Sequence, residues 1–451
     1  MSTNFINFNR DAICFLPPSI QDWLPENHLA RFVVEIVSQL DIKSIKDSYS
    51  GKGSKAYHPK MLLALLFYGY ATGVFSSRKL ENATYDSVAF RFITADTHPD
   101  HDTISSFRKR FLKELTPLFV QILLIAKEMG LLKLGKVSLD GTKVKANASK
   151  HHALSWEYAS KLEEQLKGEV EELLKMAEQV DNNETENEMN IPDEIARRKD
   201  RLRDIAAAKV EIERRANERY LKEKEAFDKK MAERAEKERA SGKKAGGKTP
   251  KTPDPGPRKK DQINLTDADS KIMPTTAGFD QVYNAQACVD IESLLIVENH
   301  LTQNTNDKLE IDTAIKGIKS LPDDIGQVDA LLGDAGYFSE ANVKICEKAQ
   351  IVPYISSKRE KHHPPLQERF GQPPPLEKDA DPVGKMKHRL QTQEGKEIYA
   401  KRKSTVEPVF GVIKHVIGFR QFLLRGLEAV SGEWDLVCLA YNLKKLHKLA
   451  C

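Results

Sequence analysis

Cysteine is scarce in this chain and forms no recognisable pattern. Cys14, Cys288, Cys346, Cys438 and Cys451 are scattered, with no Cys-x-x-Cys pair. None combines with histidine at zinc-site spacing, so neither a disulfide framework nor a zinc finger fits. They read as small buried hydrophobes in a reducing compartment. Long apolar runs are missing as well. The richest, residues 61–70, is too short to cross a bilayer and ends in Gly69 and Tyr70. The start, MSTNFINFNRDAICF, lacks a basic segment followed by an apolar core, so no signal peptide is read. The expectation is a soluble cytoplasmic protein without membrane contact. An excess of one charge is absent too: 70 Lys and Arg stand against 66 Asp and Glu, a net +4. That balance is silent about nucleic acid, and a basic surface would have to come from clustering. Finally, residues 154–240 have almost no glycine or proline, which leaves few places for a turn.

What is present is enough apolar material, 40% of 451 residues, to fill cores in two or three domains. The first part, to about Lys133, reads as helical. Trp23, Leu24, Leu29, Phe32, Val33, Ile36 and Leu40 recur at helical spacing, which predicts one helix over 20–40. Pro59 opens another. Shorter helices fit 77–83 and 87–94, and a further one runs from about Asp102 past Phe119, carrying the basic FRKRF.

A strand pattern begins near Val137 in VSLDGTKVKANAS. The glutamate-, lysine- and arginine-rich stretch then intervenes. Leu162, Leu166, Val170, Leu173, Ala177 and Val180 follow steps of three and four, and Leu202, Ile205, Ile212 and Ala216 partly repeat them. DNNETENEMNIP separates the two halves, so this reads as a helical hairpin or coiled-coil arm. Residues 241–260, rich in Gly, Pro and Lys, read as a flexible linker. Strands resume at 282–290 and 294–302, followed by a helix (307–318), a strand (328–337), a helix (339–349) and a strand (351–356). Residues 362–383 are Pro-rich and read as loop. The remainder is helical and closes on an apolar helix, 434–449. The order makes a mixed α/β core.

Three acids stand out by position. Asp140 ends an apolar strand and precedes Gly141. Asp334 ends another, between Gly333 and Gly336. Ligands gather at strand ends in open α/β sheets, and small neighbours let a bulky substrate approach. Hard cations such as Mg²⁺ prefer carboxylate oxygens, and two ions about 3.5–4 Å apart can stabilise both attacking and leaving oxygens in phosphoryl transfer. Glu407 is the third, in KRKSTVEPVFGVIKHVIGFR. Val406, Phe410, Ile413 and Ile417 place one face of that helix on a core. Glu407 and Lys414 share another face, about 10 Å apart along the axis. Pro408 predicts a helix start or kink at Glu407. Each feature has a plainer reading. An Asp after a strand is usually a turn residue, a Glu before Pro is often a cap, and FRKRF is more often a solvated face. Asp267 and Asp269 in NLTDADSK fit a turn or helix cap at least as well as a metal site.

These segments resemble the DDE transposases of bacterial insertion sequences. VSLDGTKVKANAS resembles the family's first-Asp segment, LLGDAGYFSE the second, and VEPVFGVIKHVIGFRQFLLRGL the segment with the catalytic Glu. NLTDADSKIM, EWDLVCLAYNLKKL, TISSFRKRF and AYHPKMLLALLFYGYATGVFSSRKLE also look like family segments. One branch carries Tyr-x2-Arg-x3-Glu-x6-Lys. Glu407 and Lys414 keep the last spacing, whereas Tyr399 and Arg402 lie one residue too far from Glu407 and Lys403 takes the strict Arg register.

The resemblance implies an RNase H-like mixed-sheet core at 134–153 and 262–451, an all-helical N-terminal DNA-binding domain at 1–133, and a helical coiled-coil insertion with linker at 154–261. It implies metal-dependent cleavage at transposon ends and strand transfer into target DNA. Asp140, Asp334 and Glu407 would then be both the catalytic residues and the ligands of two Mg²⁺ ions, with Mn²⁺ as a substitute. The implied partners are double-stranded DNA and a second copy of the chain in a synaptic complex, working at the bacterial nucleoid. Basic clustering near the acids selects Lys414, Lys403, Arg402, Lys143, Lys145, Arg108 and Arg425 as the foremost DNA contacts, with Lys109, Arg110, Lys401 and Arg420 beside them, and the resemblance adds Tyr399. Three rivals stay open. They are a catalytically silent DNA-binding repressor derived from a transposase, a nuclease that cuts without joining, and a structural coiled-coil protein.

Overall fold

The computed structural model describes residues 19–49, 55–183, 190–242, 246–276, 278–357, 371, 373, 375, 376 and 379–450. Its elements in chain order are helices α1 (Leu29–Gln39), α2 (Lys43–Asp47), α3 (Pro59–Thr72), α4 (Ser77–Asp86), α5 (Val88–Ile93), α6 (His101–Arg110) and α7 (Leu115–Glu128), then strands β1 (Lys136–Lys145) and β2 (Ala153–Ser155). The long helices α8 (Trp156–Asn183) and α9 (Ile191–Ser241) follow, then β3 (Gln262–Asn264), β4 (Lys271–Thr275), β5 (Gly278–Asp290), β6 (Ile296–Thr302), α10 (Glu310–Lys319), β7 (Ala330–Gly333), α11 (Glu340–Lys348) and β8 (Val352–Ile355). Helices Pro382–Gln391, Gln393–Gly411 and Leu427–Ala450 complete the chain. No described helix is long and apolar enough to cross a membrane. The chain divides into two compact units, residues 1–144 with 284–451, and residues 145–283.

In the first unit α3 is buried nearly all round, from Leu62 to Ala71. His58 caps its start, Pro59 fills its first turn, and Gly73 ends it with φ +85°. A Cβ at Gly73 would stand 2.7 Å from the Ile417 carbonyl oxygen, so both space and φ demand glycine there. Two expected helices are each broken. Residues 20–40 form a short 3-10 turn, Ile20–Trp23, and then α1. Pro25 is the cause: it forces Leu24 into extended backbone (φ −125°, ψ 146°). The helix expected from Asp102 past Phe119 ends at Arg110 and restarts at Leu115. An unbroken helix would drive the ring of Pro117 into the carbonyl of Lys113, whereas the first turn of α7 tolerates it.

The sheet of this unit runs β6-β5-β1-β7-β8. β5 is antiparallel to β1, with Ile291 N bonded to Lys136 O at one end. β6 is antiparallel to β5, while β7 is parallel to β1 and β8 parallel to β7. A strand walled on both faces should be continuously apolar, and Ala330–Gly333 is buried at every position. Helix Leu427–Ala450 is buried along most of its length around Trp434. It begins seven residues earlier than the apolar pattern predicts. Its Asn442 amide accepts from Ile296 N (2.9 Å) and donates to Ile296 O (2.7 Å), giving β6 the partners that its free edge lacks.

Beside this sheet, His300 lies between two carboxylates, 2.9 Å from Glu298 and 3.2 Å from Glu310, and is 12% exposed. Burial alone would lower its pKa, but the hydrogen bonds it donates to Glu298 and Glu310 outweigh that and lift it to about 9. A folded-state pKa above the unfolded one stabilises fully below about 6.5, and the benefit disappears as pH rises through about 9. His300→Gln should therefore cost about 2–3 kcal/mol at pH 6 and clearly less at pH 9.5. Urea unfolding at the two pH values measures this, and an equal loss at both would refute the ionised pairing.

The second unit contains α8 and α9, the β2–β3 antiparallel pair and the β4 pairing with the first residues of β5. The two long helices run antiparallel, as ion pairs Glu163–Lys209 and Glu169–Arg198 show, both at 2.7 Å. Leu166 and Ile205 are buried in one small cluster with Leu154 and Ala159. Residues 184–189, where the sequence places the break, lie outside the described residues. The expected flexible linker instead returns along α9 where it is described. Arg219 binds Asp261 and Gly256 O, and Arg258 binds Glu223; residues 243–245 lie outside the description. Asp267 is buried and accepts from Tyr283 Oη at 2.9 Å, and Asp269 pairs with Arg215 at 3.2 Å. Both therefore have structural partners.

Candidate active site

The parallel register of β1 and β7 carries the site. Lys136 faces Ala330, Val137 faces Leu331 and Ser138 faces Leu332. Ser138–Leu332 is the last registered pair; Asp140 lies two residues beyond Ser138 on the same face of β1, and Asp334 two residues beyond Leu332, just past the end of β7. Pairing stops there since β7 ends at Gly333 and turns into a short 3-10 turn, Ala335–Tyr337, capped by Asp334 (Oδ1 accepts Gly336 N at 2.7 Å). β1 does not stop. Asp140 was expected at a strand end, but β1 continues to Lys145, held on its other side by β5. The Asp140 carboxylate accepts Gly141 N at 2.8 Å. Burial first, then the nearby Asp334 and Asp307 charges, push its pKa up to about 6, against the opposing pull of Gly141 N–H and Arg402.

Helix Gln393–Gly411 brings a cation to these acids. Arg402 Nη1 stands 3.7 Å from Asp140 Oδ2, with its side chain only 11% exposed. Its buried Nε has no hydrogen-bond partner among the described residues. Tyr399 Oη donates to Gly333 O at 3.3 Å. Lys414 donates to the Lys143 carbonyl at 2.9 Å, and Lys143 Nζ lies 3.7 Å from Asp307. Burial holds both lysines below the usual amine range. The helix continues through Pro408 rather than starting there, and a π-helical turn, Val412–Val416, follows. Pro408 and Ser404 are both exposed, so water can satisfy the Ser404 carbonyl that proline leaves without a donor.

Gly141 also has a different role from the one expected. It does not clear room for substrate: a Cβ there would meet the Gln286 amide nitrogen at 2.1 Å and Asn284 Oδ1 at 3.0 Å. Its missing side chain lets two β5 amides pack against β1 beside Asp140. Sequence reading missed this layer, formed by Asn284, Gln286, Asp307 and Tyr337. Its signal was two polar residues on one face of an otherwise apolar strand, VYNAQACVD, and the polar NTND after the next.

Other expected site residues do not converge. Glu407 is exposed, and no hydrogen bond or ion pair of its carboxylate is found among the described residues. Among those residues no group of three or more His, Cys, Asp and Glu could hold a metal ion. Arg108 is not a surface residue: it is 7% exposed and donates to Tyr70 Oη and Phe75 O, both at 3.0 Å. Its helix turns this member of FRKRF inward, and only Lys109 and Arg110 face solvent. Lys145 pairs with Asp280 at 3.3 Å and Lys401 with Glu292 at 3.1 Å. Lys403, Arg420 and Arg425 are exposed.

Known families supply an independent line. Residues 18–110, spanning α1 to α6, match the family described as Transposase domain (DUF772). Residues 376–447 match a Transposase DDE domain, and that stretch includes Tyr399, Arg402, Glu407 and Lys414. The chain matches no curated protein and no solved structure. The two matched segments support an insertion-sequence DDE transposase, and the mixed α/β architecture is compatible with it.

Proposed function

We propose that this transposase cleaves DNA at transposon ends and joins the freed strand to target DNA, using Asp140, Asp334 and Glu407 as metal-holding carboxylates on an RNase H-like core. The observation that carries the reading is that Asp140 and Asp334, from neighbouring parallel strands, lie close enough for the Asp334 charge to raise the Asp140 pKa, with Arg402 3.7 Å from Asp140. A half-buried Asp140 carboxylate whose proton affinity is raised by burial and by the Asp334 charge suits a divalent cation, and Asp334 Oδ2 takes no hydrogen bond among the described residues, Oδ1 being the acceptor for Gly336 N. The donor set, all carboxylate oxygen, fits Mg²⁺, with Mn²⁺ as substitute. When bound, such ions supply Lewis-acid activation of the attacking oxygen and neutralise charge on the phosphate.

The chain's own residues do the rest. Asp140 and Asp334 fix the position of the charge. Lys143, Lys414 and Arg402 ring it with positive groups suited to a phosphate. Lys403, Tyr399, Lys145 and Arg425 extend the DNA track; Arg108 is withdrawn from it. Arg402 and Glu407 are five residues apart, about 140° round a helix, so they cannot face the acids together without adjustment. Pro408 and the π turn beyond it are the places where the helix can rotate to bring Glu407 in. We assign end recognition to the N-terminal helices of 1–133 and place two copies of the chain in the synaptic complex, with 134–153 and 262–451 as the catalytic domain and 154–261 as an insertion.

Mg²⁺-dependent nicking and joining of DNA carrying the element's ends, with wild type and Asp334→Ala compared, tests this. Wild type should nick and join, and the variant should bind the ends but do neither. If the variant keeps the wild-type rate, the carboxylate pair is not the site.

A further inference from the structure

The β5 amide layer contains an acid that the three-carboxylate scheme leaves unused. Asp307 opens the short 3-10 turn Asp307–Leu309 after β6. One of its oxygens, Oδ1, accepts from Asn284 Nδ2 and from Gln286 Nε2, both at 2.8 Å. The same oxygen stands 3.7 Å from Lys143 Nζ. Gln286 is itself tied to its neighbours: its Nε2 also donates to Asn284 Oδ1 at 3.0 Å, and its Oε1 accepts from Tyr337 Oη. Tyr337 belongs to the turn that Asp334 caps. Gln286 lies where a Gly141 side chain would be, beside Asp140.

These contacts form one connected path. It runs from Asp307 through Gln286 to Tyr337 and the Asp334 turn, and from Asp307 through Lys143 to the strand that carries Asp140. An amide holds a fixed orientation only when both its oxygen and its nitrogen are engaged, and here Gln286 has both. Removing Asp307 leaves two side-chain amides short of an acceptor and Lys143 short of a counter-ion, in a layer where Gln286 and Asn284 are fully buried.

We propose that Asp307 is a positioning residue of the Asp140–Asp334 site: its Oδ1 fixes Asn284, Gln286 and Lys143, and through them the two acids. This rests on the proposed cleavage function. Because Oδ1 already accepts from two amides and faces Lys143 Nζ at 3.7 Å, Asp307 acts as a hydrogen-bond acceptor for the protein. An asparagine can keep that oxygen and accept from both amides, whereas alanine cannot.

The test compares Asp307→Ala and Asp307→Asn in end cleavage at saturating DNA, with end affinity measured by band shift in parallel. Supporting outside groups of this kind typically change activity by about 10–100-fold when removed. Asp307→Ala should lose about that much in rate with end affinity unchanged, and Asp307→Asn should recover to within about threefold of wild type. Cleavage by Asp307→Ala at the wild-type rate overturns the proposal. So does an Asp307→Asn variant as inactive as the alanine, which would mark the carboxylate charge, and hence the cation, as what matters. The readings fail separately. Activity surviving Asp334→Ala removes the carboxylate mechanism, while activity surviving Asp307→Ala removes only this role.

Discussion

Asp140→Asn is expected to make the cation-free protein more stable while removing its chemistry. The Asp140 carboxyl is held up at about 6, by burial first and by Asp334 and Asp307 next. An unfolded aspartate titrates near 3.9, so the folded state binds this proton more tightly than the unfolded state does. Stability therefore falls as pH rises from about 4 to about 6, and above that the full penalty of the ionised group is present. About two pKa units correspond to roughly 3 kcal/mol, and partial exposure of the side chain reduces this to about 2 kcal/mol. Asparagine keeps an oxygen for Gly141 N–H and removes the penalty. In chelator at pH 7.5 the variant should unfold at higher temperature than wild type, and at pH 4 the two should coincide. Saturating Mg²⁺ should raise wild type and leave the variant unmoved, since a ligand stabilises only a state that binds it. Cleavage should fall on the order of 10³-fold, the equivalent of several kcal/mol of lost charge stabilisation. Thermal melts with and without chelator at both pH values measure the first part. A variant less stable than wild type at pH 7.5 in chelator would show that the acids are not in conflict.

Such a conflict explains what the sequence could and could not reveal. Asp140 and Asp334 were legible because each follows a short apolar run and sits beside glycine, a local pattern that needs no knowledge of partners. Their pairing depends on the β1–β7 register, which joins residues almost two hundred positions apart and leaves no local trace. The element order around the sheet was legible for the same local reason, as were the two long helices, whose three-and-four spacing buries Leu166 and Ile205. β2, β3 and β4 were missed, being three to five residues long and set in polar surroundings. The helix breaks at Pro25 and before Pro117 were overridden by apolar periodicity that continues across them. Asp307 was invisible because its significance lies in the side chains it meets, two of them on β5.

Arg108 shows the opposite error, a residue read correctly as basic and wrongly as exposed. Arg108→Ala should cost about 3–5 kcal/mol of stability, because it strips the cation from a buried acid. Glu433 is fully buried in helix Leu427–Ala450 and accepts Leu423 N (2.9 Å), Leu424 N (3.0 Å) and Tyr70 Oη (2.9 Å). Burial raises its pKa against those hydrogen bonds and the Arg108 charge. Tyr70 Oη, donating to Glu433 and accepting from Arg108, links α3, α6 and the last helix in one polar chain. Alanine at 108 leaves the carboxylate inside without the Arg108 charge, and the loss should ease at low pH, where Glu433 protonates. Glu433→Gln added to Arg108→Leu should recover part of it, since replacing both charges is less costly than orphaning one. A DNA-contacting arginine would behave differently. Its loss would leave unfolding unchanged, weaken binding across sequences and lower the salt slope by about one. Urea unfolding and salt-dependent binding of the single variant therefore separate the two roles. A full-stability variant with a reduced slope would return Arg108 to the DNA track.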